Sequence, residues 1–402
     1  MLDWDSFSDK DKQPGKGQPS TEAAQSPVVD EAVVAPQSTT VESTSQLGQN
    51  PIHQNAYQDQ PLPEADESLE PVRAEDKRVV NGLSDVNQLA PFKYPWAWDY
   101  FLNANKNHWT PHDVNMAQDI DDYQNKLTDH EKHVYTSVLA FLSTSDIIAM
   151  RNIGLALMEK MTSPELQIYQ ARQMYEASLH TWSYQHCFES LGLDQGEIYN
   201  RYRVAPAINK KIQMTNRRLN SILRTDINLN DPAELNNFVM AYLFFSAIFE
   251  GVWYYNGFAP IFSMQRRGLM KGTAEQLQYI MRDQMMHASF GIQVVSQIII
   301  ENNLKLDVDA INEMWKEAEE CESAYARYLL ENPIQGYTAE EHMMQYRFTA
   351  NRRAQQLGLQ QPYSNVSCPF PWLDEQANIG NEEVAFDAPV SGHQTGGGLS
   401  WD

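Results

Sequence analysis

The chain has 402 residues, of which 42% are hydrophobic, and a formal net charge of −23. This length and composition supply enough apolar side chains for a large core. The acidic charge argues against nucleic acid as a partner, because a phosphate-binding surface needs clustered lysines and arginines. Three widely spaced cysteines without a Cys-x-x-Cys pattern argue against a disulfide framework or a zinc site.

The first part of the chain, residues 1–78, is rich in Gln, Ser, Thr, Pro and acidic residues and lacks hydrophobic periodicity. Such a segment buries too little apolar surface to fold, so we predict a disordered tail. Its start, Met1–Phe7, is either a small docking motif or a free terminus. That start is acidic rather than basic, so we expect no signal peptide and a cytoplasmic protein. The longest apolar stretch, around Phe238–Phe249, is too short and interrupted to predict a membrane span.

The folded domain is predicted at residues 79–372, with helical periodicity to about residue 355, a structured loop at Ser364–Trp372 and no convincing series of strands. Thr128-x-x-Glu131 matches a capping box, and Pro164 is suited to the first turn of a helix. The predicted helices are Pro95–Lys106, Asn115–Lys126, Asp129–Lys160, Pro164–Leu191, Gly196–Val204, Pro206–Leu223, Ala233–Phe258, Thr273–Asn303, Val308–Leu330 and Ala339–Leu357. The pattern predicts an all-α bundle of long helices, followed by a flexible C-terminal tail at 373–402.

Four ionisable residues lie inside apolar stretches of four long predicted helices. They are Asp146, His180, Glu250 and His287. A charge in such surroundings is costly unless it is paired or bound to a metal. Glu-x-x-His on two helices and a lone carboxylate on each of two others is the layout of a di-metal carboxylate site. Here the positions three residues before the two histidines hold Ala177 and Gln284.

A set of longer motifs resembles one known family. The motifs are Pro91–Tyr94, Asn107–Pro111, Phe141–Thr144, Glu176–Asp194, Glu250-Gly251, Ala274–Asp283, His287, Ala350–Arg353 and Gln394–Asp402. On these motifs the chain resembles the small, radical-generating subunit of class I ribonucleotide reductase over about residues 80–402. The resemblance implies a ferritin-like fold, iron or manganese as cofactor, and a role in making deoxyribonucleotides for DNA synthesis.

The resemblance also assigns roles to the metal-site residues. Asp146 and His180 match terminal ligands of the first metal, and Glu250 and His287 match those of the second. The family's two bridging glutamates fall on Ala177 and Gln284. Two carboxylates neutralise one divalent ion rather than two, so we expect one metal or none. Glu176 and Asp283, each four residues before a histidine, are candidate replacements, although the family has acidic residues there in other roles.

Further roles follow from the same resemblance. Tyr184 matches the radical tyrosine, and Trp109 and Asp283 match the start of the radical-transfer chain. Leu399, Trp401 and Asp402 match the peptide that docks on the large subunit, and His393 stands where the family usually has a redox tyrosine. Tyr254, four residues after Glu250, is either a second oxidisable ring beside Tyr184 or a packing residue.

Two hypotheses follow from this combination of retained and lost features. The first is an enzyme subunit with an atypical metal site, which supports reduction of ribonucleoside diphosphates. The second is a catalytically inert paralogue that binds the large subunit, or an active small subunit, as a scaffold or regulator. We expect a homodimer or a heterodimer with an intact small subunit. Ferritin-like storage and an unrelated oxidase are disfavoured, because neither needs the docking peptide.

Overall fold

A computed structural model of the chain describes residues 72–82 and 88–378. The described residues form helices and no strand; Ile334 and Tyr337 make an isolated bridge. The α-helices are α1 (Pro95–Ala104), α2 (Ala117–Asp121), α3 (Asp129–Asn152), α4 (Pro164–Leu191), α5 (Gln195–Val204), α6 (Pro206–Asn220), α7 (Pro232–Leu243), α8 (Tyr255–Arg266), α9 (Lys271–Asn302), α10 (Val308–Leu329), α11 (Ala339–Gln356) and α12 (Pro371–Asn378). The predicted all-α, ferritin-like architecture is confirmed.

The helix starts follow the local sequence. Thr128 and Thr338 each form a capping box at the start of α3 and α11, which satisfies two backbone N–H groups at each start. Pro164 occupies the first turn of α4, where its missing N–H costs nothing. The prediction missed α12, which is short and follows a loop. Most of the two predicted tails, 1–78 and 373–402, lies outside the described residues.

The longest buried run joins three segments between Pro232 and Arg266. Helix α7 continues through a π-helical segment, Phe244–Tyr254, into α8, so the run extends beyond the predicted end at Phe258. All eleven residues of the π-helical segment are buried. A π-helical turn is rare and is often found at functional sites. This segment carries Glu250, and it packs against α9 and α11.

The remaining walls of the interior are α3, α4 and α9. Helix α4 packs along α3, and α9 contacts both α4 and the π-helical segment. Fully buried side chains such as Leu139, Phe188 and Ile280 fill the space between them. Each contributes on the order of 1.5–3 kcal/mol through burial. The packing therefore holds the four elements that carry the predicted ligands in fixed positions.

Two helical runs are long and apolar enough to cross a membrane by length and composition alone. They are Asp129–Lys160 and Pro232–Arg266. In the most apolar 18 residues of each run, 61% and 83% respectively are buried inside the protein. The expectation that the apolar stretch near Phe238 is short was therefore wrong. The run is continuous, and packing by neighbouring helices accounts for its apolar composition.

Candidate metal centre

The four ionisable residues expected at the site converge in the middle of the bundle. Asp146 comes from α3, His180 from α4, Glu250 from the π-helical segment and His287 from α9. All four are buried, and the two imidazole ring centroids lie 6.0 Å apart. The grouping predicted from sequence is thus present as a geometric cluster.

The first half of the site is built around His180. Its Nδ1 lies 3.3 Å from Asp146 Oδ1, and its Nε2 lies 3.0 Å from Asp283 Oδ2. The amide of Asn107 donates to the other oxygen of Asp283 at 2.5 Å. Burial alone would lower the pKa of His180, but the Asp146 and Asp283 carboxylates raise it to about 9. Without a metal, this imidazole is protonated near neutral pH.

The second half repeats this arrangement around His287. Its Nε2 lies 2.7 Å from Glu176 Oε2, and its Nδ1 is 3.6 Å from Glu250 Oε1, an ion-pair contact rather than a hydrogen bond. Burial opposes the charged imidazole, but the two glutamates raise the pKa of His287 to about 10. Burial also raises the pKa of Glu250, although its contact with His287 works in the opposite direction.

Two residues of α4 that the sequence reasoning missed hold the second half in place. Arg172 Nε donates to Glu176 Oε1 at 2.7 Å, and Gln173 Nε2 donates to both oxygens of Glu250 at 3.1 and 3.2 Å. Both lie four residues before a site position, Glu176 and Ala177 respectively. Because residues four apart share a helix face, this spacing was the available signal.

The two substituted positions leave the interior of the site incomplete. Ala177 is fully buried and offers no polar side-chain atom. Gln284 Nε2 lies 3.4 Å from Asp146 Oδ1 and 3.5 Å from His180 Nδ1, while its Oε1 has no partner. Asp146 Oδ2 and His287 Nδ1 also lack hydrogen-bond partners. Buried polar atoms are normally paired, so these orphaned atoms face a group that the protein side chains do not supply.

Two tyrosines approach the same region. Tyr184 and Tyr254 are fully buried, and neither hydroxyl has a hydrogen-bond partner. Burial, together with the nearby Asp146 charge, raises the pKa of both phenols well above their ordinary value. Both rings therefore stay protonated in the resting protein, and both lie near Asp146.

Trp109 stands outside the hydrogen bonds that join Asn107, Asp283 and His180. Its indole stacks on the ring of Tyr279, with centroids 5.2 Å apart and planes inclined by 15°. The indole Nε1 is buried without a partner. Asn107, rather than Trp109, donates to Asp283. Asp283 thus links to His180, whereas no hydrogen bond joins Trp109 to that pair.

The side chains present do not fit two metal ions. Among the residues that the structure describes, no three His, Cys, Asp or Glu side chains are placed so that together they could hold a metal ion. Only Asp146 and Glu250 offer carboxylates on the Nδ1 side of the histidines. Glu176 and Asp283 bind the opposite Nε2 atoms, so they do not replace the lost bridges. Two divalent ions would carry uncompensated charge in a low-dielectric interior.

The predicted docking residues Leu399, Trp401 and Asp402 lie outside the described part of the chain, as do His393 and Met1–Phe7.

Comparison with known proteins places this site in a family context. A model of the family described as "Ribonucleotide reductase, small chain" matches residues 86–369. The ribonucleoside-diphosphate reductase subunit beta of Chlamydia pneumoniae is 35% identical over 344 residues, covering 84% of this chain and 98% of the relative.

Solved structures agree with this at the level of the fold. The R2 subunit of Clostridium botulinum ribonucleotide reductase superposes with a TM-score of 0.68 at 22% identity, covering 75% of this chain and 94% of that one. The dimanganese(II) NrdF of Streptococcus sanguinis superposes with a TM-score of 0.58 at 19% identity, covering 70% and 95%. The chain belongs to the ribonucleotide reductase small-chain family and is a class I small subunit of that oxidoreductase.

Proposed function

We propose that this chain serves its reductase as a small subunit with a degenerate centre, which holds one iron or manganese ion or none. The observation that carries the proposal is that each site histidine lies between two carboxylates, with the bridging positions held by Ala177 and Gln284. Protons on the two imidazoles supply positive charge that metal ions would otherwise supply. Tyr184, buried beside Asp146, is the residue proposed to store the oxidising equivalent.

The assembly expected from the resemblance belongs to the same proposal. The tail residues Leu399, Trp401 and Asp402 would dock on the large subunit, and the chain would form a homodimer in the cytoplasm. Residues 79–372 would be the folded domain, with tails on either side. Trp109 and Asp283 would belong to the start of the radical-transfer chain towards the large subunit. The Trp109 indole would be the oxidisable group, and the Asp283 carboxylate would hold His180 in place through their hydrogen bond.

The experiment compares the natural chain with an Ala177→Glu/Gln284→Glu double variant. Both are loaded with iron or manganese in the presence of oxygen, and bound metal and nucleotide reduction with the large subunit are measured. We expect at most one metal per chain in the natural protein and about two in the double variant. An Ala177→Gln variant is the matched control, because it adds a side chain of similar size without a charge. Two tightly bound metals in the natural chain would refute the degenerate centre.

A second candidate function is an inert docking paralogue. It is favoured by the lack of a three-ligand metal group among the described residues. In that case the natural chain gives no turnover and no radical, yet it still binds the large subunit or an active small subunit. Removal of the last nine residues tests the docking, since unchanged binding to the large subunit would exclude the tail as the contact.

A further inference from the structure

A second chain of buried polar groups lies outside the candidate metal centre. The Tyr337 hydroxyl is 2.7 Å from His342 Nδ1, and His342 Nε2 is 2.7 Å from Glu322 Oε1. All three side chains are fully buried. Asn256 Nδ2 also lies 2.8 Å from His342 Nε2, but it donates to Glu322 Oε1 at 2.7 Å. With the carboxylate as the acceptor for both groups, the ring proton lies on Nε2 and Nδ1 is left to accept from the phenol. The groups therefore run in the order phenol, imidazole, carboxylate.

Local sequence sets this arrangement. A turn between Ile334 and Tyr337 is closed by Gly336, whose φ of +78° suits glycine. Tyr337 comes directly before Thr338, the capping residue of α11, and His342 follows in the first turn of that helix. Glu322 projects from α10, which packs against α11. Because a turn, a capped helix and a helix pair hold the three groups, their geometry is fixed before any reaction.

Glu322 is kept ionised by further contacts. Lys211 Nζ lies 2.6 Å from Glu322 Oε2, and Asn256 Nδ2 donates to Oε1 at 2.7 Å. Burial alone would raise the pKa of Glu322, but Lys211 and His342 lower it to about 2. An ionised carboxylate hydrogen-bonded to one side of an imidazole makes the other nitrogen a better proton acceptor.

We propose that Tyr337, His342 and Glu322 form a proton-coupled redox site. A one-electron oxidant, such as a tyrosyl radical or a chemical oxidant, removes one electron from Tyr337. The phenolic proton moves to His342 Nδ1 in the same step, which leaves a neutral tyrosyl radical and an imidazolium. The Glu322 carboxylate, which also pairs with Lys211, accepts a hydrogen bond from the Nε2–H of this imidazolium. Return of one electron from a reductant brings the proton back to the phenolic oxygen.

The neighbouring rings are less suited to this reaction. Tyr325 and Tyr346 donate to backbone carbonyls, which do not accept a proton at ordinary pH. The Lys211 ammonium lies 4.9 Å from the Trp253 ring centroid and 4.6 Å from that of Tyr325. A nearby cation opposes removal of an electron from either ring.

Two other tyrosines donate to carboxylates. Tyr94 bonds to Glu301, and Tyr255 bonds to Asp374. A carboxylate has an ordinary pKa near 4, so it is a weaker proton acceptor than an imidazole. Tyr337 is therefore the tyrosine whose acceptor is best matched to proton-coupled oxidation among those that the described residues contain.

The position of Tyr337 suggests what the site does. Its ring stacks on Phe370 with centroids 4.9 Å apart, and Phe370 lies 5.1 Å from the partly exposed Trp372. Aromatic rings thus continue from Tyr337 towards the surface. The site would accept oxidising equivalents from the interior of the bundle and pass them towards the surface. This role is separate from the one proposed for Tyr184 and does not depend on a radical there.

The test uses the full-length chain without metal, so that it is independent of the candidate metal centre. A photogenerated ruthenium(III) complex oxidises the protein substoichiometrically, and the trapped tyrosyl radical is measured by electron paramagnetic resonance. We expect Tyr337→Phe to lower the radical yield at least threefold. His342→Leu keeps the phenol but removes its proton acceptor, and it should give a similar loss. The g-tensor of the natural radical should show a hydrogen bond from a charged donor.

Tyr346→Phe is the matched control, because its ring is equally buried and its hydroxyl bonds to a carbonyl. It should leave the yield and the spectrum unchanged. Thermal melting followed by circular dichroism checks that each variant is folded. An unchanged radical in both Tyr337→Phe and His342→Leu would overturn the proposal. If the Tyr337 radical forms but no radical appears at Tyr184 after metal loading, the proposal for Tyr337 stands and the one for Tyr184 fails.

Discussion

Two clusters of buried charged side chains, one around Glu322 and one around His180 and His287, differ in how many of their polar atoms find hydrogen-bond partners. Around Glu322, both carboxylate oxygens accept hydrogen bonds, and Lys211 and His342 find partners. Around His180 and His287, several buried polar atoms have no partner. Apart from Asn256 Oδ1, the first cluster is satisfied by protein groups, whereas the second leaves several atoms unpaired next to Ala177 and Gln284. Burial by itself therefore does not identify a ligand site; what sets the central cluster apart is that its unpaired atoms belong to Asp146, Gln284 and His287 together.

The largest expected effect separates the two clusters by stability. Lys211→Met leaves the Glu322 carboxylate without its ammonium partner, which should cost about 3–5 kcal/mol of unfolding free energy. Asp146→Asn removes one of two carboxylates beside His180 and should cost less, about 1.5–3 kcal/mol, because Asp283 remains. Urea unfolding of the metal-free protein measures both. Equal costs would mean that the central cluster is as tightly organised as the other.

The second prediction concerns pH. The pKa values of about 9 for His180 and about 10 for His287 lie above the value of roughly 6.5 expected in the unfolded chain. The folded protein therefore holds protons that the unfolded chain releases. This stabilisation is fully present below about pH 6.5 and is lost as pH rises through 9 to 10, a change of a few kcal/mol. Chemical unfolding of the metal-free protein between pH 6 and 10 measures it.

The Glu322 cluster should respond at the opposite end of the pH scale. Its carboxyl pKa is lowered to about 2, so its contribution is present above about pH 4.5 and is lost as pH falls towards 2. In a Glu322→Gln variant the acid-side dependence should shrink while the alkaline dependence stays. A His180→Gln/His287→Gln variant should show the reverse. If both variants flattened the same pH range, the two clusters would be coupled.

The smallest expected effect concerns the orphaned phenols. Tyr254→Phe removes a buried hydroxyl that has no hydrogen-bond partner, so the metal-free protein should become more stable by roughly 1 kcal/mol. Tyr135→Phe is the control, because its hydroxyl lies 2.8 Å from Thr273 Oγ1 and its loss should destabilise the protein. Differential scanning calorimetry compares the two. A destabilised Tyr254→Phe variant would show that its hydroxyl has a partner in solution.

The sequence predicted the helices well because their signals are local. Proline and capping residues mark several starts, and the predicted bounds of Pro164–Leu191 match α4. The π-helical segment and α12 were missed. Hydrophobic periodicity does not distinguish a π-helical turn from an α-helical one when every residue is buried, and α12 is short.

The sequence indicated which ionisable residues lie buried inside the bundle, but not which groups they contact. Placement of His180 and His287 on apolar helices was readable from the chain, and so was the loss of charge at Ala177 and Gln284. The sequence could not predict which ring nitrogen of each histidine faces which carboxylate, because ring orientation depends on tertiary packing. The Tyr337–His342–Glu322 chain also went unnoticed, because its members come from two helices and a turn.

The π-helical segment has a consequence for how this centre can change over time. A π-helical turn holds one more residue than an α-helical turn, so deletion of one residue between Phe244 and Tyr254 would let the run close up as an ordinary helix. The ends of the run would keep their packing, while residues near the deletion would turn by about 100° around the axis. If Glu250 were among these residues, its carboxylate would point away from His287. Deletion of a single residue could thus remove the Glu250 carboxylate from the centre while the helix itself stays packed.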